Sequence, residues 1–225
     1  MSSSDVASSG TEKRIVVLIS GSGTNLQALI DACGTGSIPA AHIVLVFSNR
    51  KAAYGLERAR NAQPPISTGY LALVTYLKAN PGKTRIDYDI AVAKSVLEAK
   101  PDIVVLAGWM HILSAEFLEV LHEGSPRGRD LPILNLHPAL PGAFDGANAL
   151  GRAYNAFKAG EIKNTGVMVH RVVPEVDRGE PVVVREVEIK ESDSLEDLEG
   201  RVHEIEHQII VEATRQVLQQ QSPAR

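Results

Sequence analysis

The sequence has one cysteine, Cys33. No disulfide can form within the chain, and a reducing compartment suits that lack. No apolar run approaches the roughly 20 residues needed to cross a bilayer as a helix. The first residues, Met1 to Lys13, lack the apolar core of a secretory signal and the arginines of a transit peptide. They read as a disordered leader, and Gln219 to Arg225 as a flexible tail. Large charge of either sign is also missing: 23 basic and 27 acidic residues leave a formal net charge of -4. Nothing global therefore attracts nucleic acid or an anionic membrane, although a local basic pocket for one phosphate stays open. A cytoplasmic protein is expected.

What is present is enough for a sizeable core. The chain has 225 residues, 44% of them hydrophobic, which suits one domain or at most two small ones. Ile15 to Ile19, Ile43 to Phe47, Ile103 to Ala107 and Ile133 to Leu136 are short apolar runs. Helical patterns separate them, over Asn25 to Ala32, about Tyr54 to Asn61, and Arg85 to Ala99. Strands apolar on both faces, alternating with helices, predict an α/β fold with a doubly wound, mostly parallel, Rossmann-like sheet. The last third differs. Val167 to Val173 and Pro181 to Ile189 read as two strands, plausibly antiparallel, joined by a polar turn. A long helix starts at Ser194, where Asp197 completes a capping box. Its apolar stripe is Leu195, Leu198, Val202, Ile205 and Ile209. The polar loop Glu123 to Asp130 carries no chemistry that can be assigned.

Three features could carry chemistry. The first is Gly21-Ser22-Gly23-Thr24-Asn25, between the first strand and the first helix. Backbone N–H groups at a helix start favour an anion, and glycine lets a phosphate approach. The loop lacks the Lys-Ser/Thr of a P-loop and the third glycine of a dinucleotide fingerprint. A monophosphate site and an ordinary tight turn both fit. The second is Asn135-Leu136-His137-Pro138 at a strand end. If Leu136 packs inward, Asn135 and His137 share the other face, where ligands sit in open α/β sheets. A buried structural histidine is the competing reading. Asp177, in the turn before Gly179, is the candidate acidic partner, although a solvent-facing turn aspartate fits as well. The third is His203-Glu204-Ile205-Glu206-His207, which matches the H-E-x-x-H pattern of zinc hydrolases but has no clear third ligand. The amphipathic helix explains these residues too. Taken alone, Glu206 lies off the apolar stripe and reads as surface, and His42, His122 and His170 read as structural or solvent-facing. Trp109 reads as core more readily than as pocket, and Cys33 as inert helix packing. A scaffold that only binds nucleotide or folate remains the non-enzymatic alternative.

The motifs together resemble the phosphoribosylglycinamide formyltransferase family. The matching pieces are IVVLISGSGTNLQ from Ile15, VFSNR from Val46, GLERAR from Gly55 and PDIVVLAGWMHIL from Pro101. LNLHP from Leu134, VHRVVPEVDRGEP from Val169 and Arg201 to His207 follow in the family's order. LNLHPALPGAFDG is most similar to the fungal form. The resemblance implies a single formyltransferase domain over 14–218. Residues 14–140 would be its nucleotide-binding half and residues 141–218 its folate-binding and covering half. It implies 10-formyltetrahydrofolate as co-substrate, glycinamide ribonucleotide as acceptor and no metal. A monomer or weak homodimer is expected, with neither nucleic acid nor membrane as partner.

The resemblance also implies roles. Asn135, His137 and Asp177 take the catalytic positions. Gly23, Thr24 and Asn25 hold the substrate's phosphate, with Arg85 near it, and Glu206 meets the ribose hydroxyls. Trp109, Met110, His111, Ile112 and Leu113 line the folate pocket, and Val173, Pro174, Glu175 and Val176 belong to a loop that closes over the pterin. His111 stands where some relatives have arginine, and Met168 where many have a small hydroxyl residue. The stretch Ala139 to Phe144 also departs from them. The implied reaction is attack of the substrate amine on the formyl carbon. Asn135 and a protonated His137 would stabilise the oxyanion, and Asp177 would favour the imidazolium and order a proton-relaying water. It needs no covalent enzyme intermediate, which suits the absence of a Ser or Cys nucleophile elbow.

Overall fold

The computed structural model of the protein describes residues 12–126, 128 and 131–221. Most of the expected leader and tail, and part of the loop after Glu123, lie outside them. Seven strands form one sheet in the order β3-β2-β1-β4-β5-β6-β7. These are β1 (Lys13–Ile19), β2 (Ala41–Ser48), β3 (Thr68–Tyr70), β4 (Ile103–Leu106), β5 (Ile133–His137), β6 (Asn164–Arg171) and β7 (Pro181–Glu188). The first five run parallel, and β6 and β7 are antiparallel additions beside β5. The helices are α1 (Thr24–Gly34), α2 (Gly55–Asn61), α3 (Leu73–Ala79), α4 (Arg85–Glu98), α5 (Ala115–Gly124), α6 (Ala149–Lys158) and α7 (Leu195–Gln220).

Alternation in the strands divides the core in two. Ile15, Val17 and Ile19 of β1 join Leu134 and Leu136 of β5 on one face, against Leu26 and Leu29 of α1 and Val202 and Ile209 of α7. Val16, Leu18 and Ile133 point to the other face, against Val92 and Val96 of α4 and Phe117 and Leu121 of α5. Apolar side chains on both sides explain why the parallel strands read as unbroken hydrophobic runs. Ser194 caps α7 through the expected reciprocal box with Asp197.

The structure adds to and shifts the sequence reading. β3, α3, α5 and α6 had no assignment. β3 is three residues long, and α3 buries none of its residues, so neither leaves a strong periodic signal. The sheet starts at Lys13, inside the stretch read as leader, because its N–H donates to the Ala40 carbonyl at 2.7 Å. Helix α7 runs to Gln220, two residues into the expected tail.

Candidate active site

The site lies beyond the carboxyl ends of β1, β4 and β5, where the strand order turns back from β1 to β4. Two loops meet there. Ser20 N–H donates to the Gly108 carbonyl at 2.9 Å, and Met110 N–H donates to Ser20 Oγ at 2.7 Å. Gly23 caps α1 with φ 72° and no side-chain cap, and the first turn holds no acidic residue, so the α1 N–H groups face outward unopposed. A Cβ on Gly23 would meet Gly55 Cα at 2.6 Å, so α2 can approach the loop only because both residues are glycine.

Glu206 is buried and accepts a hydrogen bond from Asn25 Nδ2 at 3.0 Å. This overturns the surface reading: α7 packs across α1 and turns Glu206 inward. Burial raises its carboxyl above the ordinary value, opposed by Asn25 and His203. Among the described residues, no three His, Cys, Asp or Glu side chains converge as metal ligands. Arg85 abuts the Ile112 carbonyl in the segment after β4. The arginine bonded to the glycine loop is Arg58, whose Nε donates to the Ser22 carbonyl at 2.9 Å.

The segment from Trp109 to Leu113 alternates. Trp109 is buried, while Met110 and Ile112 are 73% and 57% exposed. His111 Nε2 lies 2.6 Å from Oδ1 of the fully buried Asp89, whose other oxygen accepts from Ser114 N–H at 3.0 Å. His111 thus anchors the segment from beneath.

At the end of β5, Asn135 and His137 share one face, with Leu134 and Leu136 packed into the core behind them. The turn after β6 brings Asp177 to both. Its Oδ2 is 3.3 Å from His137 Nδ1, and its Oδ1 accepts from Asn135 Nδ2 at 3.1 Å. Gly146 N–H donates to Oδ2 at 2.8 Å, and Arg178 pairs with Asp145 at 2.5 Å, so the turn is tied to the loop after His137. Asp177 holds φ 56°, a left-handed conformation that Asp tolerates better than most residues. Gly179 fixes the turn's far end, since a Cβ there would fall 1.6 Å from the Arg171 carbonyl oxygen. Val173 is half-buried, and Pro174, Glu175 and Val176 are exposed along the turn's outer edge.

A fourth member was missed. His170 is opposite Asn135 in the β5–β6 pairing, 2% exposed, with Nε2 3.4 Å from Asp177 Oδ1. Met168 pairs with His137 in the same register. The period-2 spacing of Met168 and His170 on a strand antiparallel to β5 was the available signal.

The electrostatics set the resting charges. Burial lowers the His137 imidazole below its ordinary value of 6.5, with Asp177 opposing and His170 adding to the lowering. Burial thus disfavours the imidazolium form of the resting ring, and the Asp177 carboxylate favours it. Asp177 lies below its usual carboxylate value: burial opposes ionisation, but His170, Gly146 N–H and His137 together outweigh it. His137 Nε2 is buried without a hydrogen-bond partner among the described residues and is the ring nitrogen left for a ligand. A carboxylate orients an imidazole beside a primary amide, which suits acid–base chemistry at a carbonyl carbon.

The formyl transferase family model matches residues 13–214. The phosphoribosylglycinamide formyltransferase of Schizosaccharomyces pombe is 48% identical over 206 residues, covering 91% of this chain and 96% of its own. That of Dictyostelium discoideum is 46% identical over 203 residues, covering 89% and 96%. Among solved structures, glycinamide ribonucleotide transformylase 1 from Symbiobacterium toebii is 38% identical with a TM-score of 0.76, covering 92% of this chain and 87% of its own. The enzyme of that name from Geobacillus kaustophilus is 30% identical with a TM-score of 0.77, covering 92% and 99%. With the same fold, and close to half its residues shared with enzymes it spans almost end to end, the chain belongs to the phosphoribosylglycinamide formyltransferase family.

Proposed function

We propose that the protein transfers the formyl group of 10-formyltetrahydrofolate to the amine of glycinamide ribonucleotide, a step of purine biosynthesis. The observation that carries this reading is Asp177 reaching both Asn135 and His137 across the turn. Over 14–218 we read one domain, acting on these two small molecules in the cytoplasm without nucleic acid, membrane or metal, as a monomer or weak homodimer. Among the described residues no helix is long and apolar enough to cross a membrane.

The α1 start, with Gly23, Thr24 and Asn25, takes the substrate's phosphate, and Glu206 takes the ribose hydroxyls. Arg58 is hydrogen-bonded to that loop through the Ser22 carbonyl, and Arg85 reaches the Ile112 carbonyl. The exposed apolar side chains Met110, Ile112 and Val176 suit a flat pterin. Val173, Pro174 and Glu175 complete the edge that closes on it, and His111 holds the segment in place. The folate supplies the activated formyl group.

The amine nitrogen forms a bond to the formyl carbon, and the bond from that carbon to N10 of the folate breaks. One proton leaves the amine and one arrives at N10. Asn135 donates to the formyl oxygen as negative charge builds on it, worth about 3–4 kcal/mol for such a donor. Neutral His137 accepts the amine's proton at Nε2, and the resulting imidazolium, held by Asp177, returns one to N10 directly or through water. General acid–base help of this kind is worth roughly 10²–10⁴ in rate.

The test is an absorbance assay with both substrates. Tetrahydrofolate release that depends on glycinamide ribonucleotide is expected. Its absence from folded enzyme, with or without folate binding, rejects the reading.

A further inference from the structure

The loop between His137 and α6 has no role in the reaction as derived above, yet its backbone is sharply bent. Gly142, Phe144, Gly146 and Asn148 all lie in the left-handed region, at φ 78°, 51°, 81° and 53°. A bulky side chain disfavours that conformation, so Phe144 stays in it only if its surroundings hold it there. Arg152 of α6 supplies the hold. The helix is fixed to the core by Ala149, Leu150 and Ala153, and Arg152 projects from its exposed side. Its Nη2 donates to the Phe144 carbonyl at 2.5 Å and to the Asp145 carbonyl at 2.7 Å. The guanidinium carbon is also 5.8 Å from the centre of the Phe144 ring.

The second carbonyl links Arg152 to the site. Asp145 C=O and Gly146 N–H belong to one peptide unit, which is planar and trans, so the two groups point in opposite directions. Gly146 N–H is the donor to Asp177 Oδ2 at 2.8 Å, and that oxygen is 3.3 Å from His137 Nδ1. Fixing the carbonyl therefore aims the N–H. Without a hold this peptide can turn, because glycine tolerates either sign of φ and a Cβ on Gly146 would meet nothing within 4 Å. Turning it over would take the N–H away from Asp177. Arg178 pairs with the Asp145 carboxylate and so ties the loop to the turn, but it holds the side chain and not the peptide.

We propose that Arg152 is a positioning residue: it holds the Asp145–Gly146 peptide from its carbonyl end, so that Gly146 N–H stays on Asp177 and Asp177 stays in place for His137 and Asn135. This rests on the formyl-transfer reading. Arg152 touches none of the three catalytic side chains, so removing it should cost turnover rather than substrate affinity.

The experiment compares Arg152→Met, similar in length without a donor, with Arg152→Lys, whose single nitrogen can donate to both carbonyls. Arg152→Met is expected to lower kcat about tenfold or more, towards the roughly 10²-fold cost of displacing a positioned group by 1 Å, with KM for both substrates within about threefold. Arg152→Lys is expected to recover most of that loss. Full turnover in the Met variant, or equal losses in folded forms of both variants, overturn the proposal. An independent readout is amide hydrogen exchange followed by NMR. Protection of the Gly146 amide is expected to fall at least about tenfold from wild type to Arg152→Met, with the β1 amides unchanged. Equal protection of Gly146 in the two proteins overturns the proposal, as does an unprotected Gly146 amide in the wild type, even if neither variant folds. If the wild type transfers no formyl group, the functional reading fails, while exchange still decides whether Arg152 holds the peptide.

Discussion

Asp177 is the residue on which the site turns. One of its oxygens is shared by His137 and Gly146 N–H, and the other accepts from Asn135. Asp177→Asn keeps the size and some hydrogen bonds but loses the charge. It is expected to fold with a melting temperature near wild type and to lose at least about 10²-fold in kcat, measured by steady-state kinetics. The proton bookkeeping predicts a pH profile as well. Because His137 acts from its neutral form and its pKa is lowered from 6.5, kcat/KM should fall on the acid side with a midpoint below 6.5. The Asp177 carboxylate raises that value, so in Asp177→Asn the acid limb should move lower still. A limb that stays put would detach Asp177 from His137.

Asp89 makes a different argument at the same scale. It is fully buried, and His111 is the side chain that pairs with it. His111→Leu leaves the buried Asp89 side chain with the Ser114 N–H as its one hydrogen-bond partner among the described residues, and stranding a buried polar group costs about 1–3 kcal/mol. Chemical denaturation should show that loss. His111→Arg restores a donor and should recover most of it.

Among the elements, the turn between β6 and β7 is the most exacting. It carries Asp177 in the left-handed region and ends on Gly179, packed against the Arg171 backbone. Gly179→Ala cannot fit without moving β6 or the turn. A shift of about 1 Å in a positioned group costs on the order of 10²-fold in rate. Kinetics should therefore show a loss of kcat comparable to that of Asp177→Asn, together with a lowered melting temperature. Unchanged kinetics would mean that the turn does not position Asp177 as described.

The elements differ in how far they could be read from the chain. β1, β2, β4 and β5 are runs of β-branched and aliphatic residues long enough to announce themselves, and the α7 cap was visible in Ser194 and Asp197. α3 presents no buried face; α5 and α6 bury Phe117, Leu118 and Leu121 and Ala149, Leu150 and Ala153 at helical spacing, a periodic signal that the sequence did carry. The antiparallel character of β6 and β7 was open in the sequence. It is decided by the short polar turn between them and by pairing against β5.

For the whole molecule, the buried titratable groups predict how stability depends on pH. His137 and His207 are both lowered from 6.5, chiefly by burial. Below 6.5 the unfolded chain therefore binds more protons than the folded one, and stability falls with pH. Asp177, lowered from 3.8, adds a loss in the same direction as pH drops through that value. Glu206, raised from 4.5 by burial, works the other way: its carboxyl favours the folded state in acid, and that contribution is lost as pH rises through its folded value. Between pH 7.5 and 5.5 the two histidines should lower the melting temperature, and His137→Asn should flatten the slope. An identical slope in that variant would remove His137 from the account.

The sequence by itself determined the layered α/β class, the strand-end placement of Asn135 and His137, and the glycine loop. Each depends on period or on neighbours in the chain, where local sterics act. Tertiary structure alone decided which distant groups meet. Packing of α7 on α1 turned Glu206 from apparent surface to a buried partner of Asn25. Hydrogen-bonded register between β5 and β6 placed His170 beside Asn135. The turn after β6 carried Asp177 across 40 positions to His137. No local rule fixes such contacts, because they follow from how whole faces bury apolar area together.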